Sequence, residues 1–209
     1  MRILFCKISS MKYYKGHCDE DVPVNGGKYV AEHGYGHEEY NFTPISIHGE
    51  PEPECLGFVE PKSNSGTRNT FHLEKIDGCA NLKNEPFVED VLVIWCATRL
   101  QGDVTVVGWY KHATVWRDLQ SWTLEWNDGE EERFQNVRAK AADCTLLPVG
   151  ERNRHIWSIP TAKRTKAYGF GQSMVWYPTE PKAQPFVSRL VENIDNYCGE
   201  NWLDTYPNK

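Results

Sequence analysis

The chain has 209 residues, is 40% hydrophobic and 25% charged, and carries a net charge of −6. That is room for one domain with a sizeable core, and the charge argues against strong nonspecific binding to duplex DNA, which takes many cations on phosphates. Eight Trp and ten Tyr favour a β-rich core or an aromatic-lined site.

A first strand is expected over residues 3–8, close enough to the first residue to be read as the start of a domain. Lys7 follows the short apolar run at once, so no signal peptide is read there. No apolar run approaches the length of a membrane span, which takes about 18 residues or more. A polar, Gly-rich region then runs over residues 9–54, with Asn25-Gly26-Gly27 and His33-Gly34-Tyr35-Gly36-His37. A loop so long is usually functional or disordered; its aromatics, among them Tyr13, Tyr14, Tyr40 and Phe42, predict that part of it packs. Short strands are expected at 56–60 and 71–76. Residues 91–117 read as a β-hairpin whose turn, 99–103, contains Gln101-Gly102-Asp103.

Strict alternation along the second arm puts Val107, Trp109, Ala113 and Val115 on one face and Val106, Tyr110, His112 and Trp116 on the other. Gly108 is placed to form a bulge that turns Trp109 out of the core, while Trp95, in a run apolar on both sides, reads as core. Further strand signals lie at 134–147 and 174–177. A helix is expected over 185–198, opened by Pro185, striped by Phe186, Leu190 and Ile194 and stopped by Gly199. The sum is α+β: a small β-barrel with helices outside it, including a C-terminal one, in a single domain over 1–209. The seven cysteines are odd in number, scattered and without a C-x-x-C pair, which fits a reduced, cytoplasmic chain.

Catalytic signals are thin. His33 and His37 stand four apart beside Glu38 and Glu39, but Gly34 and Gly36 argue against the helix that would bring them together. The cluster His17, Cys18, Asp19, Glu20, Asp21 matches no closed zinc spacing. Glu60-Pro61-Lys62 and Glu180-Pro181-Lys182 place a carboxylate two before a lysine, as nuclease cores do, but the intervening proline makes each a turn. No nucleophile elbow, P-loop or dinucleotide fingerprint occurs. The chain is therefore read as a binding domain needing no cofactor or metal.

Aromatic segments carry more: Tyr40-Asn41-Phe42, Gly108-Trp109-Tyr110-Lys111, and Gln172-Ser173-Met174-Val175-Trp176-Tyr177. A pocket for a flipped base needs rings for its faces and amides or hydroxyls for its edge. Residues 151–170 hold Arg152, Arg154, Lys163, Arg164 and Lys166 against the single acid Glu151, which suits contact with phosphates.

Residues 3–10, ILFCKISS, together with the 91–117 hairpin, resemble the first strand, polar turn and central strand pair of EVE and YTH-like domains in the PUA-like superfamily. The wider pattern (GGKYV, E-x-NF, VVGWYK-x-A-x-V, LLP, GQS-x-VWY) also resembles the N-terminal part of uncharacterised bacterial proteins associated with modification-dependent restriction. The Gly-rich stretch at about 16–54 is then an insertion. The resemblance implies a PUA-like barrel that takes a methylated or hydroxymethylated base, flipped from DNA, into an aromatic pocket. Lys7, Ser9 and Ser10 match the family motif; Asn41, Trp109, Tyr110, Gln172, Ser173 and Trp176 complete the expected pocket. Lys7 and Lys111 join Arg152, Arg154, Lys163, Arg164 and Lys166 at phosphates. The partner is nucleic acid, not a membrane; a nuclease module, C-terminal or separate, would act elsewhere, with this chain as the specificity module. Two other classes stay open: a metal-dependent nuclease using His17, Asp19, His33, His37 or Glu38, and a nucleotide or small-molecule sensor. Oligomeric state is not readable.

Overall fold

The computed structural model describes residues 1–24, 36–61, 70–126 and 129–207. His33, Asn25-Gly26-Gly27 and Lys62 lie outside the described residues.

Among the described residues, nine strands are joined in one sheet: β1 (Arg2–Ile8), β2 (Pro44–Ile45), β3 (Glu54–Gly57), β4 (Phe87–Thr98), β5 (Val104–Trp126), β6 (Gly129–Lys140), β7 (Cys144–Leu146), β8 (Ser158–Ile159) and β9 (Val175–Trp176). The path is β2-β3-β6-β5-β4-β1-β9, with β7 and β8 pairing the first part of β5. Three α-helices accompany it there, the short α1 (Val149–Arg152) and α2 (Ala162–Thr165) and the C-terminal α3 (Gln184–Asp195). The fold is mixed α and β, dominated by the sheet. The strand path has two ends, at β2 and β9. No helix among the described residues is long and apolar enough to cross a membrane, and all seven cysteines are free thiols.

β4 lies at the centre and has apolar residues at every position from Val91 to Ala97 because both of its faces are covered. It pairs in parallel with β1, Arg2 opposite Val91 and Ile8 opposite Ala97. On one face Leu4, Cys6, Val93, Trp95, Tyr110, Val115, Val137 and Leu146 pack with Tyr14, Phe42, Phe71 and Leu203. On the other, Phe5, Ile94, Cys96, Val106 and Trp109 pack with Trp157, Phe170, Trp176 and the α3 residues Val187, Leu190 and Ile194. The expected stripe on the C-terminal helix is present, and Pro185 sits in its first turn. The helix ends at Asp195, short of Gly199, with Asn196 as its cap.

Two sequence expectations are corrected. Residues 71–76 are not a strand but contain a 3-10 turn, Leu73–Lys75; Phe71, Leu73 and Ile76 are buried through that turn rather than by strand alternation. The two faces of β5 are also reassigned. The pairing steps from Trp95–Gly108 to Cys96–Val106, so Val107 is the extra residue of a bulge. The phase changes there, and Trp109 shares the α3 side with Val106 while Tyr110 shares the other with Val107. Glycine is required at 108, since a Cβ would overlap Thr145 O of β7 and the Phe42 ring.

Candidate functional site

The chain leaves β1 through Ser9, and a buried polar nest gathers beside it. Ser9, Asp21, Glu39, Asn41, Arg133, Gln135 and Asn136 are all buried. Burying so many polar groups is costly unless each finds a partner, and most do. Asp21 accepts from the amides of Lys12 (2.6 Å), Tyr13 (2.8 Å) and Tyr14 (3.3 Å). The Tyr14 hydroxyl donates to Ser9 O at 2.8 Å. These bonds fix the turn that follows β1 before any ligand arrives. Ser10 pairs through its backbone with Val24.

The 3-10 turn His37–Tyr40 supplies the acids. Glu39 is held by Arg133 at 3.3 Å and by His17, whose amide lies at 3.0 Å and Nδ1 at 2.7 Å. Neither the Arg133 nor the Glu39 side chain is more than 4% exposed. The Arg133 guanidinium also lies over the Tyr40 ring, 4.5 Å from its centroid. Glu38 faces the Ser9 amide at 3.4 Å. Burial pushes its carboxyl above the usual carboxylate range, against hydrogen bonds from its own amide and from Ser9. The His37 ring stands edge-on to Phe58 and Phe134, 5.1 Å from each. Among the described residues, the buried Gln135 Oε1 has no donor.

Two asparagines extend β3 past its end. The Asn41 amide brackets Phe58, donating to its carbonyl at 3.0 Å and accepting from its N–H at 2.9 Å. Asn136 treats Val59 the same way, at 2.7 and 3.2 Å. Each side chain stands in for a neighbouring strand, which positions Phe58 against His37.

The expected pocket residues are not brought together as one group. Ser9, Ser10 and Asn41 border the nest, but the Asn41 amide is taken up by Phe58 and is not presented to a base edge. Trp109 was expected to turn out of the core; it is buried on the α3 side, stacked on Trp157 at 5.6 Å, because the bulge aims it there. Trp176 is buried on that side too, stacked on Phe5 at 4.5 Å, its Nε1 donating to Glu180 at 3.2 Å. Tyr110 is buried on the opposite face, against Trp95 and Phe42. Gln172 and Ser173 sit in an exposed turn, where Ser173 Oγ accepts from the Val175 amide.

Among the residues expected at phosphates, Arg152 is buried. Its guanidinium donates to Leu147 O (2.8 Å), Met11 O (2.7 Å) and Lys12 O (2.6 Å), so it staples α1 to the turn after β1 and is not offered to phosphate. Lys111 pairs with Asp195 at 2.7 Å and Arg154 with Glu151 at 3.0 Å. Arg164 pairs with Asp103 of the β4–β5 turn. Lys163 and Lys166 are exposed on and just after α2. Lys7 Nζ lies over the Phe170 ring at 5.3 Å, and Phe170 bridges to Thr161 at the start of α2. Contacts thus connect the basic segment to the end of β1. For the nuclease reading, His17 is engaged with Glu39, and no three His, Cys, Asp or Glu side chains converge as a metal set among the described residues.

Arg133, Gln135 and Asn136 were missed by sequence reasoning, which noted Glu39 only as a neighbour of Glu38 and His37. A signal was present for two of them. Arg133 and Gln135 alternate in phase with the buried Val137 and Ala139 on β6, so they occupy inward positions where polar residues need a reason.

Comparison with family models, curated proteins and solved structures finds no match.

Proposed function

We propose that this chain reads a modified base in nucleic acid through a PUA-like barrel, with the nest beside Ser9 as its pocket. The observation that supports this most is the nest itself, in which a buried Arg133–Glu39 pair lies against the half-exposed Tyr40 ring, next to a desolvated Glu38 and the half-exposed His37 ring. A buried carboxyl raised in the way Glu38 is, set beside a buried ion pair, is the kind of group that collects where ligands bind. A flipped base needs faces to stack on and groups to read its edge, and here the rings replace the tryptophans favoured by sequence. Lys7 at the end of β1, Lys12 in the turn after it and the exposed Lys163 and Lys166 of the basic segment supply positive charge. The few cations fit a reader that grips one base, with stacking contributing about 1–3 kcal/mol. Catalysis on the nucleic acid would fall to a nuclease module elsewhere.

Titration of otherwise identical duplexes carrying cytosine, 5-methylcytosine or 5-hydroxymethylcytosine, and adenine or N6-methyladenine, tests the proposal. One modified duplex is expected to bind about tenfold or more tighter than its unmodified counterpart. Equal affinity across the panel would sink it.

A further inference from the structure

A recess lies on the α3 side of the sheet, and no residue of the nest lines it. Its volume is about 310 Å³, and Glu151, Arg154, Trp157, Asn193, Asn196 and Tyr197 are among its lining residues. Ligand sites start at about 300 Å³, so the recess suits one flat ring rather than a dinucleotide. Its aromatic walls are set before binding: Trp157 is stacked on Trp109, and Tyr197 stands edge-on to both, at 5.5 and 5.9 Å. Trp157 is 1% exposed, yet among the described residues its indole N–H has no acceptor. Buried in this way, Trp157 forms the rigid back of the recess. Glu151 and Arg154 pair with one another at 3.0 Å, with side chains 30% and 59% exposed. So exposed a pair opens at little cost. Asn196 caps the C-terminal end of α3, where the helix dipole favours donor groups on a ligand.

We infer that this recess binds a guanine base, with the Glu151 carboxylate taking its N1–H and N2–H donors and the Arg154 guanidinium serving its O6 and N7 acceptors. A carboxylate beside a guanidinium complements guanine in particular. Adenine would place the bare N1 lone pair against Glu151, and cytosine would place N3 there. Guanidinium recognition of O6 and N7 is among the commonest specific base contacts. The inference goes beyond the modified-base reading and does not depend on it: Arg154, expected at phosphates, here serves a base edge.

The test is calorimetric titration of the full chain with guanosine, inosine and adenosine. Guanosine is expected to bind about tenfold or more tighter than adenosine, with inosine between them because it lacks the N2 amino group. Glu151→Gln should bring guanosine and adenosine to within about twofold of each other, and Arg154→Ala should weaken guanosine; both positions are at the surface, so the fold is retained. Guanosine 5′-monophosphate and a single-stranded oligonucleotide with one guanine then distinguish a free nucleotide from a guanine in a strand as the source. Equal binding of guanosine and adenosine, a preference that survives Glu151→Gln, or no binding at about 1 mM would each overturn the inference. Free guanosine is absent from the duplex panel, so either proposal can fail alone.

Discussion

Replacing Arg133 by Met tests the nest most directly. Methionine keeps much of the length and removes the charge, which leaves Glu39 with His17 as its partner among the described residues. The two charged atoms are 3.3 Å apart and the side chains are 4% and 0% exposed. At an effective dielectric constant of about 20 their attraction is roughly 5 kcal/mol. Removing one member of a buried pair characteristically costs about 3–5 kcal/mol, because the survivor stays desolvated. For a chain of this size that corresponds to a fall in Tm on the order of 10 °C. The pair as a whole contributes less, since both desolvation costs offset its attraction. Glu39→Gln combined with Arg133→Met should therefore recover part of the loss, giving a coupling energy of about 1–3 kcal/mol in a double-mutant cycle. Urea unfolding of the four proteins, with matched m-values, measures this. A single-mutant loss below about 1 kcal/mol, the range of exposed pairs, would refute the placement of this pair inside the protein.

Three other outcomes are expected. Gly108→Ala should destabilise by at least about 1–3 kcal/mol, the usual cost of overpacking, because backbone Thr145 O cannot give way; unchanged chemical denaturation would contradict the close approach of β7. Lys15 is mostly buried beneath the C-terminal segment, and desolvation lowers its pKa from 10.5 to about 8. The unfolded chain thus holds the proton that the folded chain releases between those values, and stability rises with pH through that window, by up to about 3 kcal/mol; unfolding at pH 7.5 and 10 relative to Lys15→Met checks the sign, and a fall would refute it. Replacing Lys163, Arg164 and Lys166 by Ala should lower the slope of log affinity against log salt for duplex binding by up to about 0.9 for each phosphate that is no longer neutralised, and an unchanged slope would remove α2 from the interface.

Elements defined by local patterns were legible in the sequence. β1, the β4–β5 hairpin and the C-terminal helix each announce themselves through a few consecutive residues, because strand and helix periodicity are properties of the local chain. The position of Gly108 also marked a bulge. Which way the bulge sent Trp109 depended on Thr145 and Phe42 approaching from elsewhere, so strict alternation put Trp109 and Tyr110 on the wrong sides. Arg152 looked like one of five cations in a basic segment, and the carbonyls of Met11 and Lys12, some 140 residues away, join that of Leu147 in turning it inward.

By itself the sequence determined that this is a sheet-dominated chain with an apolar central hairpin, a polar turn after the first strand and an amphipathic helix near its end. The tertiary structure alone decided that Ser9, Glu38, Glu39 and Arg133 meet, and that the tryptophans do not meet with them. The reason is physical. Burial and pairing of charges are set by separations in space, and the parallel docking of β1 on β4, with Arg2 opposite Val91, brings together residues whose sequence neighbours carry no trace of one another.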